Sequence, residues 1–174
     1  MSVTRSITRS ITRSITRSIV GGDAAITRFF TPLVSAGSMY YTIPTATLTG
    51  DLELEAELIL PSLGTEGQIF GNQSTAAHIF HMSETGFLAL RKSAGFVTST
   101  VQSTQDGKLR TYGVEQIGND FLFKENGIVI DTVNSSVVAA LTLTLDTIAR
   151  TLLPGAPTLD GLAANVKLSG DSFS

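Results

Sequence analysis

Cysteine and tryptophan are both absent from the 174 residues, proline occurs five times, and charged residues make up only 16% of the chain. Without cysteine there can be no disulfide, no zinc–thiolate or iron–sulfur site and no cysteine nucleophile. No stretch approaches eighteen consecutive apolar residues, so no bilayer-spanning helix is expected. A glycine-rich phosphate loop, a Ser-centred nucleophile elbow and a His-based metal motif are also missing. What is present is 16 glycines set among many Thr, Val, Leu and Ile, and that composition reads as all-β.

Acidic residues are missing from the first twenty positions, which hold a four-residue tandem repeat, Thr-Arg-Ser-Ile, running from Thr4 to Ile19. On a helix the four isoleucines would form a stripe drifting by about 40° per repeat. Half of the residues are Ser or Thr, however, which compete with helical backbone bonding. In an extended chain Arg5, Ile7, Arg9, Ile11, Arg13, Ile15, Arg17 and Ile19 share one face, and Ser and Thr fill the other. Such a ribbon cannot bury enough surface alone to offset its chain entropy. Each Ile is isolated by polar residues, so the segment is not a secretory leader.

The remainder carries eight basic and fifteen acidic groups, a net charge of −7, against four arginines in the arm. An acidic body is a poor partner for nucleic acid or an anionic membrane and a good one for a basic arm. The expected organisation is an assembly arm over residues 1–22, a linker over 23–37 and one domain over 38–174. Phe29, Phe30, Tyr40 and Tyr41, two aromatic pairs at the junction, are the interface candidates of the body, since neighbours on a strand face opposite ways.

Strand signals follow one another along the body. Met39–Ile43 is expected to end at Pro44, and Thr49-Gly50-Asp51 to form a turn. Leu52 to Leu58 alternates leucine or alanine with Glu53, Glu55 and Glu57, and Pro61 is expected to stop it. Short strands are expected at 68–71, 78–82, 86–91, 96–101, 108–117, 121–124, 128–130, 141–145 and 162–168. Glu125-Asn126-Gly127 suits a type I′ hairpin turn, and Asp106-Gly107 another turn. Ten or more strands without a long helix predict a two-sheet antiparallel sandwich.

Three segments carry a family resemblance. Leu48-Thr49-Gly50-Asp51-Leu52-Glu53-Leu54-Glu55-Ala56 resembles the opening strand of laminin-G-like, concanavalin A-like jelly-roll domains. Phe121 to Val129 resembles their central hairpin, and Leu159 to Leu168 their closing strand. The resemblance covers roughly residues 38–170 and implies a jelly-roll sandwich. Domains of this kind serve as carbohydrate-binding or adhesive modules and recur in the tails, fibres and capsids of bacteriophages.

The leading expectation is therefore a structural or interaction protein of a virion, as a capsid decoration, tail or fibre component. It would be a homo-oligomer docked to other virion subunits through its arm, with no nucleic-acid contact and no membrane insertion. A lectin-like module for a host-surface glycan is the alternative. A third reading takes Glu53, Glu55 and Glu57, on one strand face with about 6.6 Å between next neighbours, as the source of a glycoside hydrolase's carboxylates, with Glu53 and Glu57 in those roles. The absence of tryptophan platforms and the leucines opposite these glutamates favour a solvent-facing role and no enzyme activity. His78 and His81, three apart on a strand, point to opposite faces and cannot share a metal. No cofactor is expected, although Asp120, Glu125, Asn126 and Asp131 border one hairpin with oxygen ligands of the kind calcium takes. Asp146, Asp160 and Asp171 read as turn residues.

Overall fold

Alternating leucines organise the longest strand of the molecule. The computed structural model describes residues 30–31, 41–59, 67–148 and 163–173. Within them strand β2, Tyr41–Ile59, buries Leu48, Leu52, Leu54, Ala56 and Leu58 and turns Glu53, Glu55 and Glu57 outward. The break expected at Pro44 and the turn expected at Thr49-Gly50-Asp51 do not occur, because the strand runs through both. Pro44 has no N–H to give, and it falls inside a bulge where the ladder jumps from the Thr147–Thr42 pair to the Leu145–Ala46 pair. Gly50 takes a positive φ of 72°, open to glycine, and marks the bend at which β2 changes partners.

That change of partners makes two layers from one ladder. Before Gly50, β2 pairs with β10 (Leu143–Ile148), which continues through β3 (Gly67–Gly71), β4 (His78–Met82) and β5 (Phe87–Lys92) to β6 (Gly95–Gln102). After Gly50, it pairs on one side with β7 (Leu109–Ile117), followed by β8 (Asp120–Glu125) and β9 (Ile128–Asn134). On its other edge β2 pairs with β11 (Ala163–Phe173) from Leu58 back past Gly50 to Leu48, and β11 holds β1 (Phe30–Thr31). All pairs are antiparallel, giving the expected all-β sandwich. The strands expected at 68–71, 78–82, 86–91, 96–101, 108–117 and 121–124 agree with β3 to β8 to within a residue at each end. The others shift or lengthen, most of all β9 and β11. Pro61, the 154–157 loop and Asp160 lie outside the described residues. Asp146 and Asp171 sit within β10 and β11, not in turns; Asp146 occupies the bulge opposite Pro44 and accepts from the Gln73 amide at 2.6 Å.

The β8–β9 hairpin turns at Asn126 and Gly127, both with positive φ, as Asn-Gly predicts. On the far side of the sandwich the layers are joined by Asp131 of β9. It accepts from the Thr100 amide at 2.5 Å, from Thr100 Oγ1 at 3.0 Å and from Ser99 Oγ at 3.3 Å on β6. Between the layers lie Phe70, Phe80, Tyr112, Phe121 and Phe123, all fully buried, with Phe70 and Phe80 stacked at 6.4 Å between ring centroids. The Tyr112 hydroxyl, which must bond once buried, donates to the Thr104 carbonyl at 2.5 Å.

One cation lies in this core. Lys92 ends β5 facing inward and is 0% exposed. Its Nζ donates to Gln116 Oε1 at 2.7 Å and to the Ala139 carbonyl at 3.5 Å, and it sits 5.9 Å from the centre of the Phe121 ring. Gln116 in turn donates to the Ala139 and Gly118 carbonyls. Ala139 belongs to α1, Ser136–Ala139, a single turn capped by the Ser135 hydroxyl. Gly95 lets this turn close over the core, since a Cβ there would lie 2.6 Å from Leu141 and 2.9 Å from Val138.

No carboxylate answers the Lys92 charge, and burial pushes its pKa from 10.5 down to about 8. An unfolded chain therefore holds this proton up to about pH 10.5, whereas the folded chain releases it near pH 8. Folding is opposed by the full charge-burial cost below pH 8 and progressively relieved above it. Thermal melts should accordingly show stability rising between pH 8 and pH 10, by about 1–3 kcal/mol, and Lys92→Met should flatten that rise. A profile of equal slope in the variant would contradict the assignment. Gly95→Ala should lower stability by about 1–3 kcal/mol, as overpacking does, measured by urea denaturation at pH 7.

Candidate functional site

The arm residues Arg5, Ile7, Arg9, Ile11, Arg13, Ile15, Arg17 and Ile19, the 23–37 linker apart from Phe30–Thr31, and the aromatic candidates Phe29 and Tyr40 lie outside the described residues. The other two candidates are placed by backbone pairing alone, Phe30 opposite Ala164 on the sheet edge and Tyr41 opposite Ile148.

The outer face of the β3–β6 layer assembles a set of residues that the sequence scattered. Cross-strand register puts Gln68, His81, Ala89 and Thr98 in one row across β3, β4, β5 and β6. Ile79, Arg91 and Phe96 form the next row. Exposure rises toward β6: Gln68 and Ala89 are 1% exposed, whereas Phe96 is 55% exposed and Arg91 is open to solvent. The imidazole of His81 leans on the Phe96 ring at 6.4 Å between centroids.

Two polar atoms in the first row have no protein partner. Gln68 Nε2 and Thr98 Oγ1 are both buried and make no hydrogen bond. An orphaned buried polar group costs about 1–3 kcal/mol, so this pair, like Ser103 Oγ and Gln105 Oε1 elsewhere, calls for a partner such as an ordered water. The sequence reading passed over this face. Its trace in the sequence is a long acid-free stretch, because Glu84 is the one carboxylate between residues 67 and 105.

His78, expected to point away from His81, faces the interior side of β4, where its Nδ1 accepts from the Thr144 amide at 3.3 Å. Burial, and then the nearby Arg91 charge, hold its pKa below 6.5. The hairpin carboxylates and amide already serve protein donors. Asp120 accepts from Asn134, Glu125 from Arg110 and the Thr104 amide, and Asn126 from the Thr111 amide. Asp131 holds the β6–β9 seam. Among the described residues no group of three or more His, Asp or Glu side chains converges as a metal would require.

The three glutamates of β2 lie on the opposite outer face, beside β7, β8 and β11. Glu53 accepts from Lys124 at 3.2 Å and from Lys167, and Lys124 also meets Glu115 at 2.5 Å. Burial alone would raise the Glu53 carboxyl, but the bonds from Lys167 and Lys124 outweigh it and hold its pKa below 4.5. A glycosidase acid needs the reverse, a carboxyl that keeps its proton near neutrality. Glu53 is an ion-pair hub. Its folded pKa is depressed, so its contribution to stability is present above pH 4.5 and is lost as pH falls through that lowered pKa. Glu53→Gln should cost about 1 kcal/mol at pH 7, and the gap to the parent should close on acidification in melts from pH 7 to pH 3. A gap that persists at pH 3 would contradict this.

No family model matches the chain, and no curated protein matches it at the level of sequence. Solved structures do. Domain 4 of an extracellular arabinanase from Geobacillus stearothermophilus, in complex with arabinotriose, superposes with a TM-score of 0.56 at 13% identity, over 88% of this chain and 78% of that one. The LG4-5 domains of the mouse laminin alpha1 chain give 0.52 at 17% identity, over 78% and 41%. A carbohydrate-binding module from Bacillus subtilis gives 0.50 at 12% identity, over 86% and 92%. At these identities the likeness is one of fold, and it agrees with the resemblance carried by the opening strand, the central hairpin and the closing strand. The fold of this chain is the laminin-G-like, concanavalin A-like jelly-roll sandwich.

Proposed function

We propose that the protein is a non-catalytic binding module whose outer β3–β6 face receives a saccharide. The observation that carries this reading is the exposed ring of Phe96 with the open Arg91 opposite it, on the face that also holds the buried, unpartnered Gln68 Nε2 and Thr98 Oγ1. The apolar face of a pyranose packs on an aromatic ring, and its hydroxyls both donate and accept toward the polar groups around it. The row spans four strands, about 14 Å at the usual strand spacing, which suits two or three sugar units. The arabinanase domain with its arabinotriose and the carbohydrate-binding module lend support, since they place saccharide recognition on the same fold. Screened on a glycan array, the full chain should retain a defined saccharide class. Phe96→Ala and Thr98→Val should each weaken binding about tenfold or more, equivalent to about 1.4 kcal/mol, while Glu55→Gln should leave it unchanged. Retention unaffected by the first two variants, or absent altogether, would contradict the reading.

A second reading concerns how this face is displayed: as part of a bacteriophage virion, docked in a homo-oligomer or on other subunits through the basic arm. Charge favours it. Glu53, Glu55, Glu57 and Glu115 share the outer face of the β2–β7–β8 layer. Glu53 and Glu57 are four residues apart on a strand, about 13 Å, the same interval as successive arm arginines in an extended chain. The full chain should form oligomers that dissociate as salt is raised from 50 to 500 mM, and removal of residues 1–20 should abolish them. Light scattering that gives the same mass with and without the arm would contradict arm docking.

A further inference from the structure

We infer that the saccharide received by the β3–β6 face bears a carboxylate, bound by Arg91; the inference rests on the saccharide reading of that face. The first argument is the state of the cations. At the described surface Lys108 pairs with Asp106, Arg110 with Asp106 and Glu125, Lys124 with Glu53 and Glu115, and Lys167 with Glu53. Among these described surface cations Arg91 alone has no carboxylate. Its guanidinium reaches only the Ser93 carbonyl, 3.4 Å from Nε, a marginal bond that leaves the Nη pair of the fork open. Arg91 thus presents a charged, forked donor to solvent beside Phe96, on a body of net charge −7.

Placement supplies the second argument. Arg91 stands directly opposite Phe96 on β6 and Ile79 on β4, and two residues along β5 from Ala89, which lies between His81 and Thr98. A ring stacked on the exposed Phe96 therefore has the guanidinium beside it, since Arg91 and Phe96 are cross-strand partners. Strands β3 to β6 contain no Asp or Glu that could repel an anion, whereas Glu53, Glu55, Glu57 and Glu115 share the opposite outer face. Arg matches a planar carboxylate through two parallel N–H donors, which a neutral hydroxyl cannot reproduce.

Calorimetry on the full chain tests this with galacturonate and sialyl trisaccharides, each measured against its neutral methyl ester, with citrate as an anion lacking a sugar ring. The expected result is at least a tenfold preference for one acid over its ester. The preference should shrink with salt and be lost in Arg91→Ala, with Arg91→Lys intermediate. Phe96→Ala should weaken acid and ester alike. An ester bound as tightly as the acid, or a preference that survives Arg91→Ala, overturns the charge assignment. If Phe96→Ala still weakens both ligands, the saccharide reading stands without it. Citrate bound as tightly as the trisaccharides, or no binding by any of them, overturns both.

Discussion

Everything in this sandwich depends on the side-chain alternation of β2. A strand sends successive residues to opposite faces, and this one belongs to both layers, so its register fixes which face of each sheet becomes interior. Leu48, Leu52, Leu54, Ala56 and Leu58 all reach the core, and β7, β10 and β11 take their register from them. A one-residue slip would bury three glutamates together. The bend at Gly50 is what lets a single strand serve two sheets, and the bulge that accommodates Pro44 keeps the earlier half in its ladder.

The same alternation explains what could be read from the sequence. Leu52 to Leu58 announced its own burial pattern, and Asn126-Gly127 announced the hairpin, because both signals are local. The passage of β2 through Pro44 and Gly50 was illegible, since only the bulge in the β10 pairing shows why a proline and a left-handed glycine do no harm there. Arg91 and Lys92 form the sharpest case. They are adjacent cations at the end of one strand, and nothing local decides which enters the core. Pairing of Lys92 with Gly95 and His78 sends it inward to Gln116, and leaves Arg91 outside beside Phe96.

The candidate site was hidden for a related reason. Gln68, His81, Ala89 and Thr98 come from four strands and form a row only through cross-strand register. The glutamates of β2 drew attention because they sit together in sequence, yet the structure engages Glu53 with Lys124 and Lys167. Charge is thus sorted by face. Among the described residues, carboxylates and their lysines occupy the outer surface of the β2–β7–β8 layer, and one open arginine with an aromatic ring occupies the other. Two such faces suit a module that is anchored by one side and reads a ligand with the other.

The most direct measurement is an amide and side-chain NMR titration of the full chain with the preferred carboxylated trisaccharide. Binding at the proposed face predicts shifts centred on the Gln68 side-chain amide, the Ala89 and Thr98 backbone and Arg91 Nε. Shifts centred instead on Glu53, Glu55 and Lys124, or on the Glu125–Gly127 hairpin, would contradict it.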